Sequence, residues 1–242
     1  ECGALYPARL QEMVLSTSSH LGIALDGDAD RLVVVDEKGA ILDGDILLAL
    51  LARDFSARDK LAKKTLVTTV MSNLALDQTI RQWGIQTQRT PVGDRHVVEC
   101  MRMHGYNLGG EQSGHIVCLD HSTTGDGLLA ALLLLDTMQR EQASLSALAN
   151  ILTPYPQSLV NIPVLARTPI EELPDVSALI AQISQELGQE GRVMVRYSGT
   201  EAQARVLVEG PNQQDIHAKA RSIAAALAMA VGTDEARIRL LE

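Results

Sequence analysis

Short apolar runs separated by polar turns mark the first part of the chain. Residues 22–25 (Gly-Ile-Ala-Leu) and 32–35 (Leu-Val-Val-Val) read as two strands, with a polar turn from Asp26 to Arg31 between them. Asp43-Gly44-Asp45 precedes an apolar run over residues 46–51, which predicts an acidic first turn opening a helix. Strand-like and helix-like segments then alternate: strand 65–70, helix 74–83 stopping at Gly84, strand 85–89, helix 96–103 stopping near Gly105, strand 116–119 and helix 127–141. Such alternation with short loops predicts an α/β layer on a largely parallel sheet.

The alternation stops at Thr153-Pro154-Tyr155-Pro156, where two close prolines exclude a helix and predict a linker. Beyond it the pattern predicts strand 159–165, helix 176–187, strands 193–196 and 205–208, and helix 215–231. The expected class is therefore α/β: a mixed α/β domain followed by a small α+β C-terminal domain with an antiparallel sheet.

Composition narrows the possible partners. The chain has 242 residues, 46% hydrophobic and 21% charged, which is globular composition with enough length for separate cores. A net charge of −9 with 2% aromatics argues against nucleic-acid binding, which needs a basic stripe or stacking rings. The longest apolar run, Leu128 to Leu135, is too short to cross a bilayer, so no membrane partner is expected. Cys2, Cys100 and Cys118 are odd in number and lack metal-ligand spacing, which predicts reduced thiols in a cytoplasmic protein. The opening Glu1-Cys2-Gly3 has no start-of-protein character, and a processed chain or a piece of a longer one is expected.

Three loops carry candidate chemistry. In Asp26-Gly27-Asp28-Ala29-Asp30-Arg31, carboxylates at alternate positions of a turn can converge on one hard cation, and without it they would repel one another. A plain hairpin turn is the bland reading. An EF-hand loop is a sharper rival: Glu37 falls at its twelfth position, but Arg31 occupies the place of its glycine and the flanks read as strands. In Gly109-Gly110-Glu111-Gln112-Ser113-Gly114-His115, small residues frame an acceptor, a hydroxyl and a proton shuttle, which suits a polyhydroxy ligand or a solvated turn. The nearby loop 90–95 reads equally as a capped helix start or an anion site. In Arg196-Tyr197-Ser198-Gly199-Thr200-Glu201, with Arg205 close behind, a guanidinium fork and hydroxyls suit phosphate; a hairpin with Ser-Gly at its bend fits as well.

Taken in order, these loops make the chain resemble the α-D-phosphohexomutase superfamily, and within it the phosphoglucosamine mutase branch. The segments Leu21 to Arg31, Val92 to Arg95 and Leu108 to His115 carry the likeness to that branch. The resemblance implies a four-domain enzyme whose first domain holds a phosphorylated serine in a Ser-His-Asn-Pro-type loop. Ser18-Ser19-His20 lacks the Asn-Pro, so the chain is expected to lack that serine and the N-terminal half of the enzyme. Residues 1–38 are then the end of the second domain, 39–153 the third, sugar-binding domain, and 154–242 the phosphate-binding fourth. By the same resemblance Asp26, Asp28 and Asp30 bind Mg²⁺, and Arg31 and His115 are catalytic. Glu111 and Ser113 bind sugar hydroxyls, while Arg196, Ser198, Gly199, Thr200 and Arg205 hold phosphate. The implied reaction interconverts glucosamine 6-phosphate and glucosamine 1-phosphate through a bisphosphate. Related readings are a mutase for mannose or glucose phosphates and a non-catalytic phosphosugar-binding module. Tyr197 and Ala202 stand where the family often has proline, and their effect is expected to be a looser phosphate loop.

Overall fold

The computed structural model describes residues 3–164, 167–198 and 201–233, and the backbone of 239–241. The chain divides into two compact units, Glu1–Pro154 and Tyr155–Glu242. Among the described residues no helix is long and apolar enough to cross a membrane.

The first unit opens with helix α1 (Ala8–Thr17), which packs through Val14 on a three-stranded antiparallel sheet of β1 (Leu21–Leu25), β2 (Leu32–Asp36) and β3 (Ile41–Leu42). Helix α2 (Gly44–Ala57) follows. Asp43 caps it by accepting the Ile46 amide at 3.1 Å. Leu47, Leu48, Leu50, Leu51 and Phe55 are buried on one broad face, and buried Ala49 and Ala52 extend it, as in a helix covered by other elements on most of its surface. Strands β4 (Thr65–Thr69), β5 (Gln86–Thr90), β6 (Leu108–Gly110) and β7 (Ile116–Cys118) form a second sheet in the order β5-β4-β6-β7. Helices α3 (Leu74–Arg81) and α4 (Asp94–His104) are the crossovers, and α5 (Gly127–Glu141) and α6 (Leu145–Ala149) close the unit.

The expectation of a largely parallel sheet holds for β4 with β5 and with β6, but β7 runs antiparallel to β6. The reason is the loop between them, which is too short for a crossover and can only turn the chain back. Adjacent glycines of β6 show the layering. A side chain on Gly109 would meet Met101 of α4, whereas one on Gly110 would meet Leu48 of α2. Since neighbouring strand residues point to opposite faces, α4 and α2 cover opposite sides of this sheet.

One contact ties the β2–β3 turn to the end of the unit. Helix α6 has Ser144 at its N-cap position without a side-chain cap of its own. Glu37 supplies one from a distance, accepting the Ser146 amide at 3.1 Å and the Ser146 hydroxyl at 2.5 Å. Burial opposes the Glu37 charge, but hydrogen bonds from Ser146 and Ser144 prevail and hold its pKa at about 2, below the ordinary 4.5. A depressed carboxyl pKa adds stability that is complete above about pH 4.5 and lost as the pH falls through about 2. Glu37→Gln is therefore expected to cost about 1 kcal/mol in urea unfolding at pH 7, the usual scale of a lost cap. The gap to wild type should narrow between pH 5 and pH 2, and a gap constant across that window would refute the assignment. The same contact removes Glu37 from the acidic turn, and that turn joins two strands, so neither EF-hand requirement is met.

The second unit is a four-stranded antiparallel sheet in the order β11-β8-β10-β9. Its strands are β8 (Gln157–Pro163), β9 (Arg192–Tyr197), β10 (Gln203–Glu209) and β11 (Arg239–Leu241). Helices α7 (Pro174–Leu187) and α8 (Gln213–Ala230) pack on it. Strand β8 alternates half-buried and buried residues along its length. Val160 and Ile162 meet Val206, Val208, Ile183 and Ile223 in one apolar cluster. The opposite parity carries Asn161, Arg205 and its cross-strand partner Arg196 at one end, next to the apolar row Leu159, Leu207 and Met194.

Candidate functional site

Pairing of Leu25 with Leu32 leaves residues 26–31 to close the β1–β2 hairpin. Asp26 shapes this loop: its Oδ1 accepts the Arg31 amide at 3.1 Å, and its carbonyl accepts the Ala29 amide at 3.3 Å. One carboxylate oxygen each from Asp26, Asp28 and Asp30 can be chosen so that all lie within 4.8 Å of one another. The Arg31 guanidinium lies 3.8 Å from Asp26 and 3.9 Å from Asp30. Burial pushes the Asp30 carboxyl up, reinforced by Asp26 and Asp28 and opposed by His115. For Asp26, burial is outweighed by the Arg31 amide, Asp30 and the Arg31 charge, so its carboxyl moves down. The Asp30 Oδ1 atom is buried and accepts no hydrogen bond. An all-oxygen donor set with an unsatisfied buried carboxylate oxygen fits a hard divalent cation.

The glycine-rich loop is stitched to this hairpin. The Leu32 amide donates to the Gly114 carbonyl at 3.0 Å, and Arg31 and His115 form an isolated antiparallel bridge. His115 is buried with its Nδ1 3.0 Å from Asp30 Oδ2. Gly125 packs against the Nε2 side of its ring. The Gly127 amide at the start of α5 donates to the Ala29 carbonyl, so the acidic loop is held from two sides. In this arrangement His115 orients a carboxylate of the acidic cluster.

Sheet topology explains where the remaining groups meet. From β4 the chain crosses to β5 on one side and then returns to β6 on the other. The crevice between the carboxyl ends of such diverging parallel strands is where open α/β sheets bind ligands. Here it is a cavity of about 320 Å³ lined by Thr69 at the end of β4 and Met71 after it, Val92 after β5, and Glu111, Gln112 and Ser113 after β6. Glu111 Oε1 accepts the Gly93 amide at 2.9 Å, which fixes its carboxylate at the mouth of α4. The Ser113 hydroxyl is 3.5 Å from Glu111 Oε2. Gln112 is held by the Gly44 amide on its carbonyl and by Asp43 on its side chain.

Motif reading missed Thr69, Met71 and Asp45. The signal for the first two was their place at and just past the carboxyl end of a parallel strand. Asp45 reads only as an acid in a first helical turn, yet it is fully buried and accepts the Asn73 amide at 2.7 Å, while Asn73 caps α3 through the Ala75 amide. Burial pushes its carboxyl up to about 7, with the Asn73 amide opposing. It holds the β4–α3 loop that forms one cavity wall.

In the second unit Arg196 and Arg205 stand directly opposite each other on β9 and β10, with Asn161 opposite Arg205 on β8. Burial and the Arg205 charge push the Arg196 pKa down. The Ser198 amide donates to Gln203 at 2.8 Å, and its hydroxyl accepts the Glu201 amide at 3.2 Å. Gly199 and Thr200 lie outside the described residues. The expected loosening by Tyr197 and Ala202 meets two tethers: the Tyr197 hydroxyl donates to Thr168 at 2.6 Å, and the Ala202 carbonyl accepts the Val164 amide at 2.9 Å.

Comparison with known proteins agrees with this geometry. Residues 43–155 match the family profile for phosphoglucomutase/phosphomannomutase alpha/beta/alpha domain III, and residues 159–226 match that for the C-terminal domain. The chain is 54% identical over 231 residues to a phosphoglucosamine mutase of Myxococcus xanthus (strain DK1622), covering 96% of this chain and 50% of that protein. It is 52% identical over 216 residues to one of Nitratidesulfovibrio vulgaris (strain DSM 19637 / Miyazaki F), covering 89% of this chain and 48% of that protein. The chain thus spans about half the length of these curated relatives. Among solved structures, the N-acetylphosphoglucosamine mutase of Aspergillus fumigatus, in complex with GlcNAc-6P and magnesium, shares the fold with a TM-score of 0.73 at 22% identity, over 96% of this chain and 53% of that one. A phosphoglucomutase/phosphomannomutase family protein of Burkholderia thailandensis does so with a TM-score of 0.75 at 24% identity, over 94% and 51%. With both domain profiles matched in order and the acidic and glycine-rich loops joined in one unit, the chain belongs to the phosphohexomutase family, of which it carries domains III and IV.

Proposed function

We propose that this chain is the C-terminal half of a cytoplasmic phosphoglucosamine mutase, which interconverts glucosamine 6-phosphate and glucosamine 1-phosphate through a sugar bisphosphate. The observation that carries the reading is the switch-point cavity walled by Glu111 and Ser113, whose loop is hydrogen-bonded to the acidic hairpin. Residues 1–38 are assigned to the end of the second domain, 39–153 to the third and 154–242 to the fourth. Asp26, Asp28 and Asp30 would hold Mg²⁺, which supplies charge neutralisation for a transferring phosphoryl group. Arg31 adds positive charge at that site, and His115 positions Asp30. Glu111 accepts sugar hydroxyls, and Ser113 donates or accepts beside it. Arg196, Ser198, Gly199, Thr200 and Arg205 hold the phosphate that is not reacting, so remote binding energy orients the reacting end.

The serine that accepts and returns the phosphoryl group is assigned to the half of the enzyme outside this chain. In a coupled assay with glucosamine 1-phosphate, Mg²⁺ and a sugar bisphosphate primer, the chain alone is expected to be inactive. Addition of a serine-bearing N-terminal half should restore turnover; turnover by the chain alone would overturn the assignment. Glucose and mannose phosphates in the same assay separate this reading from the other mutases. Arg196→Ala in the reconstituted enzyme is expected to weaken sugar-phosphate binding more than about tenfold, the scale of one lost charge-assisted contact. An unchanged KM would remove Arg196 from the phosphate site.

A further inference from the structure

The arginine pair of the second unit carries a counterion of its own. Arg196 and Arg205 are directly opposite on neighbouring strands, an arrangement in which like charges repel. The Glu201 carboxylate lies against the Arg205 member of this pair: its Oε2 accepts from Arg205 Nη2 at 2.7 Å and from Gln203 Nε2 at 2.5 Å. Its backbone is held separately, by the Ser198 hydroxyl on its amide and by Arg167 on its carbonyl. The Glu201 side chain is 56% exposed, so it can swing away without disturbing the core. Arg205 Nε is buried and makes no hydrogen bond, and neither does Asn161 Oδ1 opposite it. The Arg205 guanidinium is thus only partly satisfied by Glu201.

We propose that Glu201 is an internal competitor for the phosphate site: its carboxylate occupies Arg205 when no anion is bound and must release it when a phosphate arrives. The proposal rests on the reading of Arg196 and Arg205 as phosphate ligands. A phosphate dianion, with its several acceptor oxygens, can engage both guanidinium groups at once. It also meets the Glu201 charge, so its hold on the site is weakened twice, by competition and by repulsion. A bisphosphate that must let go and turn round within one catalytic cycle needs such a limited hold on its non-reacting end, and Glu201 stabilises the arginine pair while that end is released.

The opposite role for Glu201 would be to pre-orient Arg205, and the two roles predict changes of opposite sign. The test is titration of the 242-residue chain with inorganic phosphate at pH 8 and low ionic strength, followed by calorimetry. Glu201→Gln keeps the shape of the side chain and removes its charge; it should bind phosphate about three- to tenfold tighter, given the modest strength of an exposed ion pair and of a nearby like charge. Glu201→Ala should also bind tighter, and a merely structural contact could not produce a gain. Unchanged or weaker binding in both variants overturns the proposal. Arg196→Ala serves as the reference. If phosphate binds it as well as wild type, or binds neither wild type nor Glu201→Gln, the phosphate reading of this site falls as well. If only the Glu201 variants fail to tighten, that reading stands and the competitor role is lost.

Discussion

Replacing Gly114 by alanine is expected to destabilise the first unit by about 3 kcal/mol or more, through a left-handed backbone and a steric clash together. Gly114 has φ +89°, which L side chains avoid, and a Cβ there would lie 2.1 Å from the Leu32 carbonyl oxygen. That oxygen belongs to a strand paired on its other side, so it cannot step back without moving β2. The same crossing carries the Leu32-to-Gly114 hydrogen bond, so the variant also loosens the acidic hairpin from the glycine-rich loop. Trp83, the chain's one tryptophan, lies in the first unit and reports its urea unfolding. Gly84→Ala separates the two causes: its φ is +71°, with nothing within 4 Å of the added carbon, so about 1 kcal/mol of conformational cost is expected. Equal losses in the two variants would show that the close approach to Leu32 does not matter.

Removing one carboxylate from the acidic hairpin should lower Mg²⁺ affinity more than about tenfold, since a hard cation depends on the number of charged oxygen ligands. Asp28→Asn is the cleaner change, because Asp26 also holds the Arg31 amide and Asp30 also meets His115. The measurement is the thermal midpoint of metal-free chain as Mg²⁺ is added. A ligand that binds only the folded state raises that midpoint once its concentration passes the dissociation constant, and then with the logarithm of concentration. Wild type should gain stability at Mg²⁺ concentrations where Asp28→Asn gains little. Without the ion, the variant should be at least as stable as wild type, because one of three mutually repelling charges is gone. Matching midpoint shifts in the two proteins would sink the metal assignment.

Several helices of the first unit were legible because they combine local signals: Asp43 and Asp126 cap α2 and α5, and Gly105 ends α4 in a left-handed conformation. The second unit's alternating strands were legible for the same kind of reason. What escaped is instructive. Strand β6 consists of Leu108, Gly109 and Gly110, a poor strand sequence that is tolerated because side chains there would collide with Met101 and with the His115 carbonyl. Helix α1 buries only Val14, so its apolar stripe is too thin to stand out. Strands β3 and β11 and helix α6 are short, and such elements exist by pairing or capping with distant residues such as Glu37.

By itself the sequence determined which loops hold the carboxylates, the hydroxyls and the guanidinium groups, since residue type and spacing are written along the chain. It also determined most strands and helices, because burial on one face imposes a period that local reading detects. Only the tertiary structure decided that β4 lies between β5 and β6, which opens the cavity between Met71 and Glu111. Only it decided that Asp30 meets His115, that Asp45 is buried beneath the β4–α3 loop, and that Glu201 lies on Arg205. The physical reason is that crossover direction and strand order are chosen by the packing of whole layers, and a contact between residues far apart in the chain leaves no periodic trace in either segment.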